Sequence, residues 1–162
     1  MVTLIILSQL YIISPDILFN STYIRKHIDP KPFFIKGNAT VITCAAPNYS
    51  SILRYGKHNP STYQRNLDVL LNRIRFVLVN LSTRIQEDDV IILGAFGCGV
   101  FKQDPAIVSQ YFQDNLHILN KKCKVIFAVP SKYPASAHFE GIKLVQNNNE
   151  DLRNNLLKKF GG

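Results

Sequence analysis

Acid, cysteine and long apolar runs are all scarce in this chain, and each shortage removes a class of protein. The 162 residues hold 11 Asp and Glu against 19 Lys and Arg, a formal net charge of +8. That balance disfavours cationic partners and favours anionic ones such as nucleotides, phosphorylated metabolites or nucleic acid. The basic residues are scattered (Arg25-Lys26, Arg73 and Arg75, Lys121-Lys122, Lys158-Lys159), which also describes an ordinary solvated surface. Three cysteines, Cys44, Cys98 and Cys123, form no C-x-x-C pair and no zinc-spaced cluster with histidine, so neither a disulfide framework nor a metal site is expected. Odd, sparse thiols point to the cytoplasm. No stretch of about 18 apolar residues could span a membrane. Val2–Ile13 is largely apolar, but it has neither the basic start nor the small-residue cleavage site of a secretory signal and is read as a buried strand. The four N-x-S/T triplets, at Asn20, Asn38, Asn48 and Asn80, are taken as chance in an Asn-rich chain. Repeats, linkers and low-complexity segments are missing, and 46% hydrophobic residues suffice for one packed domain over 1–162.

What is present alternates between strand and helix patterns. Leu10–Leu18 reads as a strand interrupted at Ser14-Pro15-Asp16. Phe33–Ile35 and Thr40–Ala45 are strand-like, with Gly37-Asn38 as a hairpin turn between them. Ser50–Ser61 reads as a loop. Thr62 is placed as the N-cap of a helix whose apolar face is Leu67, Leu70, Leu71, Ile74, Val77, Leu78 and Leu81. Glu87-Asp88-Asp89 is a turn, and Val90–Leu93 is a short continuous apolar strand. Asp104-Pro105 is an N-cap followed by proline at the first helical position, and Ile107, Val108, Tyr111, Phe112, Leu116 and Leu119 give that helix its apolar face. Val125–Val129 reads as another buried strand, with helices in Pro134–Val145 and Glu150–Phe160. Strands alternating with helices make an α/β domain with a mostly parallel sheet.

One stretch carries chemistry. Gly94-Ala95-Phe96-Gly97-Cys98-Gly99-Val100-Phe101 leaves the carboxyl end of a buried strand and leads into a capped helix, the place where open α/β sheets bind ligands. Glycines let backbone amides approach an anion, and successive N–H groups form a nest suited to a diphosphate. A P-loop is excluded because Gly-Lys-Ser/Thr is lacking, and the dinucleotide fingerprint because Lys102 stands where its last glycine would be. Spacing alone leaves two readings open: a phosphate cradle, or a glycine turn that only lets helix and strand pack. Phe96 and Phe101, large aromatics in an otherwise small loop, are either core or stacking surfaces for a sugar or base.

The loop, together with Asp104-Pro105, resembles that of the microbial-type poly(ADP-ribose) glycohydrolases, whose pattern is Gly-Ala-(Trp/Phe)-Gly-Cys-Gly-Val-Phe and then Asp-Pro. Ile13-Ser14-Pro15-Asp16-Ile17 resembles the family's Tyr-Ser-Pro-Asp-Val segment. Val41-Ile42-Thr43-Cys44-Ala45-Ala46-Pro47-Asn48 resembles its Ala-Pro-Asn segment, and Val125–Val129 with Phe139 its last strand and following aromatic. The resemblance spans about Ile13–Phe139. It implies a macrodomain-like three-layer α/β sandwich with a mostly parallel central sheet. It implies that Gly94, Ala95, Phe96, Gly97, Cys98, Gly99 and Val100 wrap the diphosphate of ADP-ribose, that Phe101 lies against the distal ribose, and that Asn48 and Phe139 are further candidates. Asn48 reads equally well as a turn residue.

Catalytic members carry Gly-Gly-Gly and, after a short spacer, Gln-Glu-Glu, whose glutamate serves the leaving group as glycosidase carboxylates do. Here the glutamates are Glu87, Glu140 and Glu150, none in such a setting. In the family that motif precedes Ser-Pro-Asp, so the resemblance implies an N-terminally truncated relative without catalytic residues of its own, needing no cofactor or metal. The expected ligand is ADP-ribose, its polymer or an ADP-ribosylated protein. A further copy or a partner chain is expected along an exposed sheet edge, and such a partner could supply the catalytic half. Two rivals stand beside this reading. Cys98 could be a nucleophile with His58 or His138 as base, or the basic surface could bind nucleic acid.

Overall fold

The computed structural model describes residues 2–4, 12–18, 38–56, 58–119, 122–129, 134–142, 154 and 158–160. Their strands are β1 (Val2–Leu4), β2 (Ile12–Leu18), β3 (Asn38–Thr43), β4 (Val90–Leu93) and β5 (Lys124–Phe127). The helices are α1 (Tyr49–Arg54), α2 (Pro60–Ser82) and α3 (Pro105–Asn115), with 3-10 turns at Leu116–Leu119 and Pro134–His138. The five strands form one sheet in the order β2-β3-β1-β4-β5. β3, β1, β4 and β5 run parallel, and β2 is antiparallel to β3. The α/β, mostly parallel expectation therefore holds. β1 lies at the centre, its Val2 opposite both Ala39 and Val90.

Ser14-Pro15-Asp16 does not end β2. The register with β3 shifts between Ser14 and Ile17, so the proline sits in an irregularity where no ladder amide is required of it. Of the expected Gly37-Asn38 turn, Gly37 lies outside the described residues. Asn38 is already in β3, opposite Leu18, and both flanks of β3 are taken by β1 and β2. Phe33–Ile35 lies outside the described residues.

The segment read as a loop, Ser50–Ser61, contains α1 and the start of α2. The N-cap of α2 is Asn59, not Thr62. Asn59 Oδ1 accepts from Thr62 N (2.9 Å), and Thr62 Oγ1 accepts from Asn59 N (3.0 Å). This is a capping box, with Pro60 at the first helical position supplying a preset φ where no N–H partner is needed. In sequence Thr62 resembles the cap because it stands three residues into the helix, where its hydroxyl reaches back to Asn59. Asp104 caps α3 as expected, its Oδ1 accepting from Ala106 N at 2.8 Å.

The core lies where α2, α3 and the Leu116–Leu119 turn meet the sheet. Leu70, Ile74, Leu78 and Leu81 of α2 are fully buried with Ile42, Ile91, Leu93, Val108, Leu116 and Leu119. Arg75 Nε on α2 donates to Asn115 Oδ1 at the end of α3 (2.8 Å), fixing the two helices against each other. β5 is not buried on both faces: Lys124 and Ile126 are exposed and alternate with half-buried Val125 and Phe127. It is an edge of the described sheet, and the lysine suits an edge. Within Pro134–Val145 the described helical part is the five-residue 3-10 turn.

Candidate functional site

β3 and β4 deliver two chain ends to the same side of the sheet. Beyond β3, Cys44–Asn48 runs into α1; beyond β4, Gly94–Asp104 runs into α3. The loop is fastened at several points. Gly97 takes φ +76°, a conformation that favours glycine, and a Cβ there would stand 2.6 Å from Ala46 Cβ and 2.8 Å from Gln103 Cγ. Cys98 N donates to Ala95 O (3.1 Å), Lys102 N to Gly99 O (3.2 Å) and Gln103 N to Gly97 O (3.0 Å). The first turn of α1 holds the far end, with Ser50 N donating to Phe101 O (3.0 Å).

Buried between these segments is a pair of amides. Gln103 and Asn66 are 3% and 5% exposed. Asn66 Nδ2 donates to Gln103 Oε1 and Gln103 Nε2 to Asn66 Oδ1, both at 3.0 Å; Gln103 Nε2 also donates to Pro47 O at 2.7 Å. Sequence reasoning missed both residues. The available signal was Asn66 itself, a polar residue on the buried stripe that continues through Leu70, Ile74, Val77 and Leu81.

With those amides spent internally, the N–H groups of Gly97, Gly99, Val100 and Phe101 meet no acceptor among the described residues. Gly99 and Val100 face solvent, Val100 being 83% exposed. Backbone donors held in a fixed loop and left unpaired are what a phosphate group needs. The N-terminus of α3 does not add to this, because the Asp104 carboxylate already accepts from its first turn.

The other candidate side chains divide. Phe96 is 3% exposed and belongs to the core, so its ring is no stacking surface. Phe139 is also buried, its ring 5.3 Å from that of Phe127, which in turn meets Phe112 at 5.3 Å. Phe101 is half-buried and packs against the core. Asn48 is the N-cap of α1, its Oδ1 accepting from Ser51 N (3.1 Å) and Ser50 Oγ (2.6 Å).

Cys98 has the wrong environment for a nucleophile. Burial, followed by the nearby Asp104 carboxylate, pushes its thiol up to about 12, and its Sγ points to Phe96 O at 3.8 Å. A reactive thiolate needs the opposite shift. His58 Nδ1 is engaged by Tyr49 Oη at 2.8 Å. No group of three or more His, Cys, Asp or Glu able to hold a metal occurs among the described residues.

The fold has counterparts among solved structures. A poly(ADP-ribose) glycohydrolase from Deinococcus radiodurans in complex with ADP-ribose superposes with a TM-score of 0.60 at 26% identity, over 78% of this chain and 49% of that one. Its apo form gives 0.60 at 26%, over 78% and 50%. A single-residue mutant bound to ADP-ribose gives 0.56 at 27%, over 69% and 45%. In fold the chain is similar to these poly(ADP-ribose) glycohydrolases. It spans about half the length of these solved structures. No protein-family model and no curated protein sequence matches it. Among the described residues no helix is long and apolar enough to cross a membrane.

Proposed function

We propose that this glycohydrolase-like chain recognises ADP-ribose, free or carried on a polymer or protein, and holds the diphosphate on the backbone of Gly94–Val100. The observation that carries the proposal is that the amides of Gly97, Gly99, Val100 and Phe101 meet no acceptor among the described residues, in a loop fixed at the carboxyl end of β4. The similarity to glycohydrolase structures holding ADP-ribose supports the choice of ligand. In this reading Phe101 borders the distal ribose, Gly94, Ala95 and Cys98 contribute backbone, and buried Phe96 anchors the loop in the core, of which Phe139 is a part farther along with Phe127 and Phe112. Asn48 acts through its cap, which orients the α1 turn that holds Phe101 O.

Autonomous hydrolysis is not part of the proposal. Glu87 and Glu140 are exposed. Neither lies in a Gln-Glu-Glu context, and the chain has no Gly-Gly-Gly.

Calorimetric titration with ADP-ribose tests the proposal. A carboxylate belongs at Gly99, where an added side chain meets nothing within 4 Å, rather than at Gly97, where it would break the fold. Binding by the native chain that is lost in a folded Gly99→Glu variant supports the proposal. A folded native chain that gives no heat with ADP-ribose refutes it.

A further inference from the structure

We propose that Gln103 and Asn66 are positioning residues: a buried amide latch that holds the Gly97–Phe101 amides in the one arrangement that fits a diphosphate. The inference rests on the ADP-ribose reading for its ligand, but not for its geometry. A primary amide offers two N–H donors and one carbonyl acceptor. Gln103 uses all three: its Nε2 donates to Pro47 O at 2.7 Å and Asn66 Oδ1 at 3.0 Å, and its Oε1 accepts from Asn66 Nδ2 at 3.0 Å. Its main-chain N–H adds a fourth bond, to Gly97 O at 3.0 Å. Three separate segments are thereby joined at one side chain: the turn beyond β3, the buried stripe of α2 and the loop beyond β4.

Burial makes the arrangement all-or-none. A buried amide that loses its partner has no water to replace it, so a half-made network is worse than none, and the closed state is strongly favoured. Packing adds to the hydrogen bonds, since the Gln103 side chain fills the space that a Cβ on Gly97 would occupy. Neither side chain is aimed at the exposed rim formed by Gly99 and Val100. Their effect on a ligand must pass through the loop backbone.

The test uses Gln103→Leu, which keeps the bulk and removes the hydrogen bonds. A second variant, Asn66→Ala, breaks the latch from the α2 side while leaving the bond to Pro47, and guards against a single variant that fails to fold. Two readouts are taken on folded protein well below its Tm. The first is NMR relaxation of the Gly99–Phe101 amides without ligand, which does not depend on ADP-ribose at all. The second is the Kd for ADP-ribose. The latch predicts new exchange broadening at these amides in both variants. It also predicts a Kd weakened about tenfold if the competent loop falls to about one-tenth of the population. The swapped variant Asn66→Gln/Gln103→Asn, which rebuilds the reciprocal pair, recovers part of the loss. Loop amides that relax as in the native chain, with an unchanged Kd, overturn the latch while leaving the ADP-ribose reading standing. A native chain that does not bind ADP-ribose, but whose loop loosens in Gln103→Leu, overturns that reading and leaves the latch standing.

Discussion

Replacing Gly97 by alanine tests the loop geometry with a single methyl group. The added carbon would lie 2.6 Å from Ala46 Cβ and 2.8 Å from Gln103 Cγ, both well inside van der Waals contact. Neither neighbour can retreat cheaply. Ala46 is 5% exposed and its Cβ moves only with the backbone leaving β3; Gln103 is held by its bonds to Asn66 and Pro47. Overpacking of this kind costs about 1–3 kcal/mol. The backbone at φ +76° adds the left-handed penalty of an L-residue, about 1–2 kcal/mol. Together these give a loss of about 2–5 kcal/mol, a large part of an ordinary domain's stability. Each kcal/mol lowers Tm by about 2–4 °C in a domain of this size, so the expected fall is roughly 5–15 °C. Urea and thermal melts of Gly97→Ala beside Gly99→Ala measure the two quantities, because Gly99 has no positive φ and its Cβ would meet nothing within 4 Å. Gly99→Ala should stay within about 0.5 kcal/mol of native. A Gly97→Ala variant as stable as Gly99→Ala would refute the description of the loop.

Two further outcomes are expected. Asn59→Ala removes the side-chain acceptor of the α2 capping box and should destabilise by about 1 kcal/mol in a urea melt, whereas Thr62→Val, which keeps Asn59, should cost less. A larger loss at Thr62 than at Asn59 would contradict the assignment of the cap. Burial raises Cys98 to about 12 and Cys44 to about 11 from 9.0, so the folded chain keeps both thiols protonated where the unfolded chain ionises them. Their contribution is fully present below about pH 9 and is lost as pH rises through the folded values. A Tm profile into alkaline pH should fall less steeply in Cys44→Ala/Cys98→Ala than in the native chain, and equal slopes would show that the thiols are not shielded.

The elements legible in the sequence were those whose local signals agree with their tertiary setting. Val90–Leu93 is a run of four apolar residues between a turn and a glycine, and it is the strand β4 with those bounds. Asp104-Pro105 combines a side-chain acceptor with a preset φ, and α3 begins there. The misreadings come from long-range effects. Asn38 and Gly37 carry the chemistry of a hairpin turn, but strand pairing with β1 and β2 draws Asn38 into β3. Tyr49–Arg54 is short and polar, with no helical signal beyond its cap; it is anchored by Asn48 and by the Phe101 carbonyl, contacts that sequence spacing does not reveal. Val125–Phe127 looks like Val90–Leu93 in composition yet sits at an edge, because composition does not report how many neighbours a strand has. Within the loop, the positive φ of Gly97 was readable and the fate of Phe96 was not: its ring is buried in the core. The latch went unread because a pair 37 residues apart leaves no pattern in sequence.

Chemical-shift mapping on isotope-labelled chain during ADP-ribose titration addresses the central claim most directly, since that claim concerns individual backbone amides. The account predicts saturable shifts concentrated at the N–H groups of Gly97, Gly99, Val100 and Phe101, with little change at Cys98, Lys102 and Gln103, whose amides are already bonded within the loop. Shifts spread over the basic surface without a maximum at Gly97–Phe101, or no shifts at all from a folded chain, would contradict it.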